Sequence, residues 1–212
     1  MAKFMGIIRP SAASGMVTVV LILSILAVTP QNVYSIIEPG SEQEYPDEVM
    51  LNDGDVDHEL VVTGAGLREK SFMKFNVYAI ASYIAKGTDL GENMGATMIK
   101  ADVAKELRMN LLRSFSAEKL TNSFSDVIND NYDDTSAFAQ DMKVFLAYFV
   151  ADAQEGDVLK FSYLPGKGLT TKLNGEELGV ITNVSFVEAL WTVWFGQEPA
   201  DKGLRDDMLS KM

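Results

Sequence analysis

Two hydrophobic periods divide this chain. From residue 56 onward, stretches in which every second residue is apolar alternate with stretches in which apolar residues recur every three or four positions. The run LVVTG at 60–64 reads as a strand, with Gly64 and Gly66 supplying a bulge or a turn. Residues 72–84 continue as a strand. Phe75, Val77, Ala79, Ala81 and Tyr83 fall on one face, and Asn76, Tyr78, Ile80 and Ser82 on the other. Large side chains on both faces predict a central strand covered on both sides. Weak helical character over 95–102 precedes another strand at 105–112, with Leu107, Met109 and Leu111 in alternation.

The period then changes. Ser116 is a helix N-cap, and Leu120, Phe124, Val127 and Ile128 follow at helical spacing. A second helix after Asp134 and Thr135 carries Phe138, Met142, Phe145, Leu146 and Phe149. Alternation returns at 158–164, Pro165, Gly166 and Gly168 make a turn, 169–173 is a strand, and Asn174-Gly175 is a hairpin signal. An apolar helix over 186–195 stops at Gly196 with Pro199 just beyond, and residues 201–212 are expected as a short surface helix. Strands, two helices, a hairpin and a helix is the order of an α+β fold: an antiparallel sheet with helices packed on one face.

The N-terminal third has neither period. Lys3 and Arg9 precede a thirteen-residue apolar run over 16–28, too short to span a bilayer, which takes about 20 residues. With Val33-Tyr34-Ser35 as a processing site, residues 1–35 read as a secretory signal peptide, the alternative being a retained anchor or a buried helix. Residues 36–55, rich in acids and holding two prolines, read as an acidic linker, which leaves 56–212 as one domain. The expected location is secreted or periplasmic, with no stable membrane insertion after processing.

The chain has no cysteine, which excludes a lipid-anchored cysteine, thiol catalysis and Cys-ligated zinc. Net charge is −12, and beyond residue 35 there are 16 basic against 30 acidic side chains, or −14. Such a domain repels nucleic acid and anionic lipid, so no nucleic-acid partner is expected.

Arg68, flanked by glycines at the end of a strand, can aim a planar, permanently charged fork between sheet and helices, where it would hold a carboxylate or phenolate; a surface ion pair with Glu69 is the alternative. His58, the single histidine, lies in an acidic surface segment unsuited to a Ser-His-Asp triad. Asp130, Asp133 and Asp134 lack the spacing of a calcium loop and read as a helix-capping loop. The PGKG at 165–168 lies between strands and reads as a turn rather than a phosphate loop. Trp191, Trp194 and Phe195 at helical spacing read as core. No metal site, cofactor or confident catalytic residue emerges.

Four signatures in fixed order, GAGLREK at 64–70, KFNVYAIASYI at 74–84, SYLPGKGLTTKLNG at 162–175 and SFVEALWTVWFGQEP at 185–199, resemble the chalcone isomerase-like family. The likeness runs from about residue 56 to the C-terminus. It implies the family's open-faced sandwich and places Arg68 where the enzymes carry an active-site arginine and the fatty-acid-binding members hold a carboxylate. Tyr78 falls where the isomerase has a catalytic threonine, and a tyrosine there is similar to the fatty-acid-binding branch. The bare sequence gives Tyr78 as an amphipathic core tyrosine. The enzyme's helical Tyr and Asn have no matching pair, since Asn122 and Asn129 stand without a Tyr, and its C-terminal threonine falls at Val193, with Thr192 one step out of register. The resemblance thus implies a non-catalytic binder of a fatty acid or similar small amphipathic carboxylate, and with the N-terminal signal the expectation is a bacterial, secreted member. The rival readings are an intramolecular lyase of the chalcone-flavanone isomerase type and a structural domain with a filled cleft.

Overall fold

A computed structural model describes residues 34–70 and 75–212. Of the segment 1–35 read as a signal peptide, residues 1–33 lie outside the described residues, as do residues 71–74 of the expected strand at 72–84.

Nine strands and five helices are described, in the order β1 (Ser35–Ile37), β2 (Glu44–Pro46), β3 (Glu48–Asn52), β4 (Asp57–Lys70), β5 (Phe75–Ala85), α1 (Met94–Lys100), β6 (Lys105–Leu111), α2 (Ala117–Asn131), α3 (Ala139–Leu146), β7 (Val158–Leu164), β8 (Gly168–Leu173), β9 (Glu176–Ile181), α4 (Val184–Phe195) and α5 (Lys202–Asp207). Strands β3 to β9 form one seven-stranded antiparallel sheet in sequence order, and β1 and β2 form a separate two-stranded ribbon. Every connection in the sheet is therefore between neighbours, and the α+β expectation holds.

The expected linker at 36–55 is corrected: it supplies β1, β2 and the sheet's edge strand β3, paired with β4 from Glu48↔Val61 to Asn52↔Asp57. Its acids hide a sparse alternation. Tyr45 and Val49 are buried, while Glu48, Met50 and Asn52 face outward. One-sided burial with a charged outer face is how an edge strand avoids pairing with another sheet. The buried Glu38 carboxylate also organises the β1–β2 turn, accepting from the Gly40 and Ser41 amides and the Ser41 hydroxyl.

Two cores flank the sheet. Tyr78, Ile80 and Ile84 of β5, Leu107, Met109 and Leu111 of β6, and Leu159, Phe161 and Tyr163 of β7 meet the helices. Ala79, Ala81 and Tyr83 of β5 join Tyr45, Val49 and Leu60 on the other side. Strand β5 is thus covered on both faces, as its double-sided apolar pattern implies. In β6 the same alternation carries Lys105 into the helix-side core. Its Nζ donates to the carbonyls of Met98, Ile99 and Ala101, closing the C-terminal end of α1, and lies 5.1 Å from the Trp191 ring centroid.

Local signals place the ends. Ser116 caps α2 by accepting from the Lys119 amide, and Asn174 (φ 52°) with Gly175 (φ 87°) forms the tight turn between β8 and β9. Gly64 and Gly66 let α5 settle onto β4: a Cβ at Gly64 would stand 2.6 Å from the Met208 carbonyl carbon, and one at Gly66 2.8 Å from Leu204 Cδ1. The Met208 carbonyl in turn accepts from the Thr63 and Ser82 hydroxyls at 2.8 and 2.9 Å.

Candidate functional site

Arg68 and Tyr78 are cross-strand partners in the β4–β5 pair. The next pair is Glu69↔Asn76, so Val77 is the extra residue of a bulge, and both Val77 and Tyr78 turn toward the helix side. A bulge beside a site re-aims side chains in this way. The Arg68 guanidinium carbon lies 5.7 Å from the Tyr78 ring centroid, within cation–π range. The Tyr78 hydroxyl oxygen accepts from Trp194 Nε1 of α4 at 3.1 Å, and only 6% of Tyr78 and 1% of Trp194 is exposed.

These groups line a small cavity of about 40 Å³ closed by Val77, Met109, Leu111, Leu120, Phe124 and Val193. Burial pushes the Tyr78 hydroxyl above its ordinary range, with Arg68 and the Trp194 N–H opposing. It remains a phenol at neutral pH. Since its oxygen accepts from the indole, its proton is available to an incoming acceptor. A fixed cation, an oriented O–H and apolar walls suit the head of an amphipathic anion. At roughly 10–15 Å³ per water, 40 Å³ is room for a few waters, enough for a carboxylate but not for a long chain.

The other sequence candidates lie elsewhere. Val193 lines the cavity, while the neighbouring Thr192 hydroxyl donates to the Ala189 carbonyl inside its own helix at 2.6 Å. Asn122 and Asn129 are exposed on α2, and Ser123, which reaches the cavity, donates to the Lys119 carbonyl at 2.8 Å. His58 Nε2 faces Asp53 at 3.3 Å in the β3–β4 hairpin, away from the cavity lining. Asp134 accepts from the Ser136 amide at 2.8 Å and shapes the loop before α3. Among the described residues no group of three or more His, Cys, Asp or Glu comes together as a cation site. PGKG is the β7–β8 turn, closed by the Lys167 amide on the Leu164 carbonyl at 3.1 Å.

Trp194 is the site residue that sequence reasoning misses. Helix α4 is buried almost all round, so its pattern does not separate Trp194, bonded to Tyr78, from Trp191, whose buried indole N–H meets no partner among the described residues.

An antiparallel sheet with helices on one face, and an Arg–Tyr pair at a small apolar cavity between them, define the class of the fold as an open-faced α+β sandwich. The sequence pattern of the chalcone isomerase-like family matches residues 41–210, and this chain belongs to that family. No curated protein matches the sequence. Among solved structures it is similar to an Arabidopsis thaliana fatty-acid binding protein, at 19% identity with a TM-score of 0.66, over 83% of this chain and 96% of that one. The family match starts at residue 41, inside the acidic segment that the structure shows to be stranded.

Proposed function

We propose that this chain is a non-catalytic binder of a fatty acid or a similar small amphipathic carboxylate, with Arg68 and Tyr78 holding the head group. The observation that carries the reading is the register pairing of these two residues at the mouth of an apolar cavity, with Trp194 fixing the tyrosine oxygen. The Arabidopsis neighbour is a fatty-acid binding protein, which accords with it. A lyase reading draws no support from the lining. Val193 is apolar where a polar group would be wanted, and Ser123 and Thr192 spend their protons on helix carbonyls. Without several transition-state donors, each worth about 100-fold or more, conversion of a chalcone should not exceed the spontaneous rate.

The test is calorimetric binding of a saturated fatty acid and the alcohol of equal length. A charge-assisted contact is worth about 1.5–3 kcal/mol, so Arg68→Ala should weaken the acid about 10- to 150-fold and leave the alcohol nearly unchanged. Tyr78→Phe should cost less, about 0.5–1.5 kcal/mol, and less than additively with Arg68→Ala because both touch one head group. Equal losses for acid and alcohol would make Arg68 a structural cation instead. Export of the chain, with removal of residues 1–35, is part of the same proposal and rests on the basic start and short apolar run. An intact mass that retains Met1 on recovered protein would sink that part.

A further inference from the structure

A head-group pocket of about 40 Å³ leaves the rest of an acyl chain to be housed, and a second, apolar cavity shares a lining residue with it. This chamber holds about 160 Å³ and is walled by Leu120, Tyr148, Phe149, Leu159, Leu173 and Leu178, with Val150, Ala151, Asp152 and Ala153 around it. It sits where the start of α2, the segment after α3 and strands β7 to β9 meet. A cavity of about 150 Å³ with such walls admits benzene.

Three contacts make the two spaces neighbours. Leu120 lines both. Met109 of the first cavity is the register partner of Leu159 of the second, and Phe115 of the first is bridged to Ala153 of the second by backbone bonds of 2.8 and 2.9 Å. Between them the rings of Phe124 and Phe149 stack at 5.8 Å, one belonging to each side. Where the two linings share Leu120 and meet at the Phe124–Phe149 stack, what stands between them is side chain: a leucine in the first turn of α2 and a pair of stacked rings. Beyond it the chamber leads to the surface at Val150, which is 88% exposed, the most exposed large apolar side chain among the described residues.

We infer that the acyl tail passes Leu120 and the Phe124–Phe149 stack and ends in the chamber bounded by Leu173 and Leu178, so that this chamber sets the preferred chain length. The inference rests on the carboxylate-binding reading for its head group. Tyr148 forms one wall because Gly179 has no side chain: a Cβ there would stand 2.5 Å from the tyrosine Cζ. The ring therefore packs close on Gly179 of β9 while also lining the chamber.

The experiment titrates the full chain with decanoic acid, hexadecanoic acid and 1-hexadecanol, in the wild type and in Leu178→Trp, which fills the chamber from partly buried β9. Each methylene kept out of an apolar site costs about four-fold in affinity. Leu178→Trp should therefore weaken hexadecanoic acid and 1-hexadecanol more than ten-fold and decanoic acid less than three-fold. Leu120→Ala opens the partition that only the long tail passes, so it should widen the difference between the long and short acids. Equal effects on the long and short acids, or no effect of Leu178→Trp on hexadecanoic acid, would overturn the chamber assignment while leaving the clamp intact. Binding of the alcohol but of neither acid, still lost in Leu178→Trp, would uphold the chamber and remove the clamp. Failure of all three ligands to bind would overturn both.

Discussion

At the scale of single residues, the polarity of the pocket depends on what surrounds Tyr78 rather than on Tyr78 alone. Trp194 occupies the hydroxyl oxygen from one side, and Asp201, the N-cap of α5, is close enough for its charge to push the hydroxyl upward. The two should act in opposite directions on an incoming carboxylate. Trp194→Phe frees the phenol to turn and should weaken a fatty acid by about 0.5–1.5 kcal/mol. Asp201→Asn keeps the cap, because asparagine caps as well as aspartate, and removes a repelling charge. It should strengthen acid binding by up to about five-fold, the reach of a partly screened pair, and leave the matching alcohol unaffected. A parallel gain for the alcohol would show that the substitution had reshaped the cavity instead.

At the scale of elements, α5 shows how a six-residue helix becomes fixed. Too short to hold itself together, it is stabilised by packing on β4. The packing requires two glycines and two hydroxyls: Gly64 and Gly66 provide the space, and Thr63 and Ser82 take the Met208 carbonyl. Gly66→Ala should lift the helix from the strand, at a cost of about 1–3 kcal/mol for overpacking. Hydrogen exchange of the Met208 and Lys211 amides, bonded to the Leu204 and Thr63 carbonyls, should speed up before that of β6. Uniform loss of protection would mean that α5 is no separate unit.

The same level marks what the sequence reveals. Strands β4 to β8 and helix α2 carry clear periods, α4 stands out as an apolar run stopped at Gly196, and the cap Ser116 is visible in one-letter code. Strands β2 and β3 are not, since an edge strand needs only one buried face and acids fill the other. The Arg68–Tyr78 pair was legible through family likeness, but its register depends on a bulge at Val77 that no local pattern announces. The cavities were not legible at all. Leu120, Phe124 and Leu178 look like any core positions until the packing shows which side of each is empty.

At the scale of the whole molecule, pH acts through groups shielded by the two cores. Burial raises the hydroxyls of Tyr45, Tyr78 and Tyr83 from their ordinary 10, and that of Tyr163, bonded to Asp102 at 2.5 Å, to about 12. Such groups contribute stability in full below pH 10, where the unfolded tyrosine is also neutral. The contribution is lost as pH rises through the folded value. Lys105 works the other way. Burial draws it from 10.5 to about 8, so between those values the unfolded chain binds more protons than the folded one, and stability rises with pH. Urea midpoints should therefore increase from pH 8 toward 10 and fall beyond it, the fall steepened by mounting negative charge on a chain already at −12. Lys105→Met separates the two effects. It leaves the carbonyls of Met98, Ile99 and Ala101 without their donor, which should cost about 1–3 kcal/mol at pH 7, and it should abolish the rise between pH 8 and 10 while keeping the fall above 10. A rise that persists in Lys105→Met would place its origin in another group, and Lys105 would then be an ammonium held by the end of α1 throughout.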